Sequence, residues 1–379
     1  MLPQGGHINV EDKMLLREKF MNACVFTACV GLALGITARP ACASDPLPGD
    51  DIPPPINVNI ALFYNQFNDA GSTAGVTGSA YSQNTHISTD ILVARYIRTF
   101  TLAGTEAGVQ GFIPYVNFIG AQEAGISDIA SPLAAYGYPN FGPGRANLSS
   151  SSGFGQPNLS VFDFIVNKPE TGLSLVLAPW IQLPIGNFNK NVNLTPAQDT
   201  WVYEMEAGLH LPLIGTPSVP NLALELWGEA YAFSGNNNSA YVTPEASANN
   251  IPGIYTLVHA VEPQVPDSNP LAVSTSTPAS FHEQPSEEIH AYLSYEVAPS
   301  MGAFISPGFY QSFGGKQTYT LRNGFKVDSG NRTDETQLRL SVQTFVTPTT
   351  QITLMGQYDV AAQGGPLYRT IELRIAHFF

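Results

Sequence analysis

From residue 57 onward the chain keeps returning to a two-residue rhythm, and that rhythm narrows what it can fold into. In residues 222–230, Leu222, Leu224, Leu226, Gly228 and Ala230 alternate with Ala223, Glu225, Trp227 and Glu229. Residues 288–297 set Ile289, Ala291, Leu293, Tyr295 and Val297 against Glu288, His290, Tyr292, Ser294 and Glu296. The same pattern runs through 337–346, 351–360 and 371–379. Successive side chains of a strand point to opposite faces, so each stretch reads as a two-faced strand. Helical periodicity is scarce, and nothing after residue 43 is apolar for long enough to be a membrane helix.

About twelve such segments are expected, near 57–67, 86–101, 104–118, 159–166, 171–185, 200–212, 221–233, 287–298, 301–313, 335–347, 350–360 and 368–379. The connections between them alternate long and short, with medium ones at 186–199 and 361–367. A transmembrane barrel has short periplasmic turns and longer external loops, whereas a soluble sandwich has no reason to keep that parity. The expected fold is therefore all-β, a transmembrane antiparallel up-and-down β-barrel. Composition agrees. Only 12% of residues are charged while 44% are apolar, with 34 Gly and 30 Pro. Such a chain is too apolar for a disordered protein, and its net charge of −14 lacks the basic face of a nucleic-acid binder.

The ends carry addresses. Lys13, Arg17 and Lys19 precede an apolar run from Ala23 to Ile36, and Ala41-Cys42-Ala43 forms a cleavage site before Ser44. Residues 14–43 read as a secretory signal peptide, with Met14 or Met21 as the expected initiator. Residues 44–56 are then a periplasmic N-terminal segment and 57–379 the barrel. Cys24, Cys29 and Cys42 all lie before the cleavage point, so a disulfide framework, a thiolate metal site and a Cys nucleophile are excluded from the mature chain. At the other end, Ile371, Leu373, Ile375, His377 and Phe379 form the apolar face of the last strand. A terminal aromatic on an amphipathic strand resembles the signal by which the barrel-assembly machinery recognises bacterial outer-membrane proteins. Phe379 is the expected assembly signal, and the expected location is the bacterial outer membrane, in contact with its lipid.

A more specific likeness covers roughly 57–379. Gly153-Phe154-Gly155-Gln156-Pro157-Asn158-Leu159, Leu183-Pro184-Ile185-Gly186-Asn187-Phe188, Asn193-Leu194 with Trp201, Glu288-Ile289-His290, and Val297-Ala298-Pro299-Ser300-Met301-Gly302 follow one another in an order and spacing. That order resembles the family of outer-membrane transporters named for the meta pathway of phenol degradation. Gln156-Pro157 departs from that family's pattern at a position where an acidic residue is usual. The resemblance implies passage of small aromatic or other hydrophobic solutes.

Assigning the apolar faces outward places a set of polar residues in the lumen: Arg95, Asp163, Glu204, Glu206, His210, Glu225, Glu229, Glu288, His290, Glu296, Arg339, Asp359, Glu372 and Arg374. If the last strand closes on the first, Arg95, Arg339 and Arg374 share one wall and the acidic residues of strands 6–8 face it. Either the opposed charges focus a field across an open pore, or they pair and fill a narrow barrel. Two other chemistries were weighed. His290 with Ser294 and His282 with Ser286 share strand faces, as in a barrel lipid hydrolase, but lack a third partner and an oxyanion signal. His210, His282 and His290 have carboxylates nearby without tight ligand spacing, so no metal and no cofactor is expected. A structural or adhesive barrel with binding loops is the remaining alternative to a channel.

Overall fold

The computed structural model describes residues 45–74, 81–82, 85–126, 144–216, 219–242, 276–324, 326–328 and 333–379. The expected signal peptide over 14–43 lies outside them. Twelve long strands form the wall: β1 (Asn59–Ala74), β2 (His86–Leu102), β3 (Thr105–Ile126), β4 (Asn158–Lys168), β5 (Leu173–Gln182), β6 (Val202–Thr216), β7 (Val219–Phe233), β8 (Ser286–Ala298), β9 (Ala303–Gly314), β10 (Thr333–Thr347), β11 (Thr350–Gln363) and β12 (Pro366–Phe378). Each pairs antiparallel with its neighbours in sequence. β12 then pairs with β1 from Ile60↔Phe378 to Thr73↔Pro366, so the sheet closes and has no free edge. The architecture is the twelve-stranded barrel that the alternation predicts.

One rim carries tight turns. Ala103 and Gly104 join β2 to β3 at positive φ, and Pro299–Met301 with a left-handed Gly302 joins β8 to β9. Pro348-Thr349 joins β10 to β11. The opposite rim carries the long connections, with one exception. The expected medium connection at 361–367 is a two-residue turn, Gly364-Gly365, because both glycines take the left-handed conformation a tight hairpin requires. Above this rim, Asn236–Val242, Ser276–Glu283, Gln317–Leu321 and Lys326–Asp328 form a second, four-stranded sheet with its own small core of Ala279, Phe281 and Tyr319. Burial pushes the Tyr241 phenol beside that core up to about 12.

The outer wall is apolar. Phe63, Leu92, Ile113, Leu338, Leu354 and Ile371 all stand exposed on it, which water would oppose and hydrocarbon favours. Inside, three glycines let rings lie flat on the neighbouring strand. Gly108, Gly208 and Gly308 sit directly opposite Phe162, Trp227 and Tyr292. A Cβ at any of them would fall 2.3–2.5 Å from a ring atom. These positions need glycine for close approach, not for backbone freedom.

Candidate functional site

The interior is built by the strand alternation, so each lumen residue is positioned by the apolar neighbours that anchor its strand in the wall. Thirteen of the fourteen expected lumen residues do face inward. Glu206, His210, Glu225, Glu229, Glu288, His290, Glu296, Arg339, Asp359, Glu372 and Arg374 are buried there, with Arg95 and Glu204 less completely covered. Asp163 does not. The expectation put it inward as a charged residue of β4, yet Phe162 and Phe164 on either side of it are the buried ones, and Asp163 shares the outer face with Val161 and Ile165. The reason is that this part of the lumen is apolar. Phe162 and Phe164 meet edge to face and join a core with Leu62, Phe112, Val176 and Trp180. Facing such a core, the larger apolar side chains win the inside and the carboxylate is turned out at the middle of its strand.

The lumen is not an open passage between two charged walls. The described part of the 44–56 segment, expected in the periplasm, runs through it from Asp45 to Pro55. Leu47 is fully buried in the apolar core of β1–β5. Its aspartates reach the arginines: Asp45 pairs with Arg339 at 2.6 Å and Asp50 with Arg374 at 2.5 Å. Backbone contacts fix the rest. Tyr292 Oη donates to the Pro46 carbonyl at 3.2 Å, the Gly49 amide donates to Glu225 Oε2 at 2.6 Å, and Ser174 Oγ donates to the Asp51 carbonyl at 2.6 Å. Thr99 Oγ1 holds the Pro55 carbonyl at 2.8 Å where the segment leaves the barrel. Five prolines within residues 45–55 keep it extended and lower the entropy lost on docking.

The arginines therefore bind the chain's own N-terminal segment. Arg339 also reaches over the intervening β9 to β8 on the same wall, where its Nη1 lies 2.9 Å from His290 Nδ1 and 3.2 Å from Tyr292 Oη, and its guanidinium covers the Tyr310 ring of β9. Arg95 hydrogen-bonds Gln110 and Tyr64 and lies over the Trp180 ring. On the facing side, Trp180 donates to Glu206 at 2.8 Å and Tyr231 donates to Glu229. Asp359 accepts from Gln337 at 2.8 Å and from the Tyr368 amide at 2.6 Å. Neither weighed Ser–His pair meets. Ser294 Oγ is bonded to Ser306 Oγ at 2.8 Å while His290 faces Arg339, and His282 pairs with Thr318 in the outer sheet.

Between the segment and the wall, toward the tight-turn rim, a cavity of about 590 Å³ remains. Phe162, Phe164, Trp227, Phe304, Phe345 and Phe378 supply rings to its lining, and Arg95, Gln110 and Arg374 supply polar groups.

Sequence reasoning missed Asp45, Leu47, Asp50, Asp51 and the aromatic lumen residues. The signal for the first four was present in the composition of residues 45–55, which combine three aspartates with five prolines. Such a segment is too stiff for a flexible linker and opposite in charge to the expected arginine wall. Gln156, the departure from the family pattern, ties the external connections together. It donates to the Thr200 carbonyl at 2.6 Å and accepts from the Gln198 amide at 2.9 Å.

A closed barrel of this size, apolar outside and charged within, is an outer-membrane β-barrel. The family model described as "Putative MetA-pathway of phenol degradation" matches residues 65–266, more than half of the chain, and the protein belongs to that family. No curated protein sequence matches it. Among solved structures, it is similar to the COG4313 outer membrane channel from Pseudomonas putida F1, with 18% identity, a TM-score of 0.63, and coverage of 88% of this chain and 100% of that one. It also matches the Pseudomonas putida toluene transporter TodX at 7% identity and a TM-score of 0.40, covering 93% and 96% of the two chains. For the CymD monoaromatic hydrocarbon channel the identity is 7% and the TM-score 0.39, with coverage of 86% and 88%. The first likeness establishes the shared fold; the other two are too distant to bear on this chain.

Proposed function

We propose that the protein is an outer-membrane channel that passes small hydrophobic solutes, aromatic ones included, by facilitated diffusion, and that residues 45–55 close it from within. The observation that carries this reading is the segment itself. It occupies the lumen, yet it is held by two ion pairs and a few hydrogen bonds rather than by the wall's continuous ladder. A barrel whose interior served only as a structural core would have no need of a separable filling. The ring-lined cavity beside the segment supports an apolar solute, since chambers of a few hundred Å³ with apolar walls and a few polar groups suit small organic molecules. The family's link to phenol breakdown points to the same chemistry. We also propose that the last strand, with Phe379 exposed on its outer face, is read by the barrel-assembly machinery, so that deleting Phe379 impairs insertion.

The test is to delete residues 45–56 and compare ion conductance in planar bilayers and uptake of a neutral monoaromatic compound into liposomes. The deletion is expected to convert rare openings into a steadily conducting state and to speed uptake. A correctly inserted deletion variant that neither conducts nor passes the solute would contradict the channel reading and favour a structural or adhesive barrel.

A further inference from the structure

Where the N-terminal segment crosses the lumen, three ionisable side chains converge, two carboxylates on one imidazole. His210 on β6 and Glu225 on β7 are directly opposed in the antiparallel register, both facing inward. Asp51 of the segment points at them. Its Oδ1 lies 3.4 Å from His210 Nδ1, and one ligand atom from each of Asp51, His210 and Glu225 falls within 4.8 Å of the others. Asp51 has no exposed surface, Glu225 is 1% exposed and His210 4%. No N–H or hydroxyl donor within hydrogen-bond geometry reaches either carboxylate oxygen of Asp51 or His210 Nδ1, so the polar neighbours of Asp51 here are His210 and Glu225 themselves. Among the described residues no lysine or arginine pairs with Asp51 or Glu225.

A buried carboxylate left in this state is costly, and buried charges are ordinarily paired or bound to a metal. The surroundings hold the geometry in place. The Ser174 contact to the Asp51 carbonyl and the Gly49 contact to Glu225 fix the backbone on both sides of the aspartate, so its side chain is aimed by contacts that do not involve its carboxylate. One imidazole nitrogen and two carboxylates drawn from three chain segments form the donor set of a borderline divalent ion, whose usual coordination number is four. An all-oxygen set would favour Ca²⁺ or Mg²⁺, but the imidazole argues for Zn²⁺ or a close relative. The neighbouring group of Glu229, Glu288 and His290 is less suited. Arg339 can only donate to His290 Nδ1, which leaves the proton on Nε2, the nitrogen that faces Glu229 at 3.5 Å.

We infer that Asp51, His210 and Glu225 bind a divalent transition-metal ion of the Zn²⁺ type, which fastens the N-terminal segment to the wall of the barrel. A ligand that binds only the docked segment favours docking by mass action, so the metal would act as a clasp on the closed state. The probe is Zn²⁺ alone, titrated calorimetrically into the full chain in detergent after chelator treatment, with Mg²⁺ as a second titrant. The expected result is one Zn²⁺ site per chain, lost in His210→Gln and in Asp51→Asn, retained in Glu288→Gln, and without response to Mg²⁺. The variants' folding is checked by the shift in electrophoretic mobility on heating that intact barrels show. Absence of a Zn²⁺ site in the folded wild type, or a site that survives both His210→Gln and Asp51→Asn, would overturn the assignment. In bilayers Zn²⁺ should lengthen closed intervals of the wild type and leave His210→Gln unchanged. This arm alone rests on the channel reading, and a site that binds Zn²⁺ in a conducting protein without altering its closed intervals would overturn the clasp.

Discussion

The two halves of the lumen are built on opposite principles. Along β1–β5 the inward faces carry mostly Leu62, Phe112, Phe162, Phe164, Val176 and Trp180, an apolar core into which Arg95 and Gln110 are set as a pair. Along β6–β12 they carry chiefly carboxylates, histidines and Arg339 and Arg374, with Trp227, Tyr292 and Met355 joining the apolar core. The N-terminal segment satisfies both at once, laying Leu47 on the apolar half and Asp45 and Asp50 on the arginines. The difference teaches that the interior of a barrel follows what fills it. Water in the lumen asks for polar residues, whereas a docked peptide permits an apolar wall wherever it presents apolar side chains.

The comparison can be broken most easily in the apolar half. Phe164→Ala removes a ring that is 2% exposed and should cost about 3 kcal/mol or more in urea unfolding from lipid vesicles, as ring deletions from packed cores do. A cost near zero would mean that this half is not a packed core. On the lipid side of the charged half, Leu224→Arg should cost about 2–4 kcal/mol if the residue sits near the bilayer midplane. The neighbouring Glu225 faces inward, so a penalty for the near-isosteric Glu225→Gln as large as that for Leu224→Arg would put the register of β7 in error. In the charged half, Asp50→Asn weakens one partly covered pair with Arg374. The expected effect is about 1–2 kcal/mol on segment docking, the range of a charge-assisted hydrogen bond, or roughly ten-fold in the ratio of closed to open time. An unchanged ratio would show that this pair does not hold the segment. The smallest effect belongs to Asp163→Leu. An outward carboxylate turned apolar should change stability by no more than about 0.5 kcal/mol, the usual scale for surface positions. A large loss would return Asp163 to the lumen.

Much of the wall was legible in the sequence because alternation has a physical cause at every position. Lipid demands apolar residues outside, so the outer faces of β7, β8, β10, β11 and β12 could be read directly, and the inward residues followed by parity. The same parity, applied through polarity alone, misplaced Asp163, because nothing local to β4 says that its inner face meets a hydrophobic core. The pairing of Arg339 with Asp45 and of Arg374 with Asp50 joins residues hundreds of positions apart, and no periodicity encodes it. What could be read was a surplus of inward arginine on one wall. What could not be read was that the nearest end of the chain supplies its partners. The cluster of Asp51, His210 and Glu225 was out of reach for the same reason, since two of its members sit on adjacent strands but the third arrives from outside the barrel sequence.

The central claim is that the N-terminal segment lies inside the barrel and is held there by the two arginines. The chain from Ser44 onward has no cysteine, so a single Leu47→Cys substitution gives a unique reporter of a fully buried position. Its reaction with a bulky, membrane-impermeant maleimide should be far slower than that of Ile56→Cys, a position 45% exposed near the rim. The same reaction should accelerate when Arg339 and Arg374 are both changed to Gln. Labelling of Leu47→Cys as fast as that of Ile56→Cys in the otherwise unaltered protein, or a rate indifferent to loss of both arginines, would contradict the account.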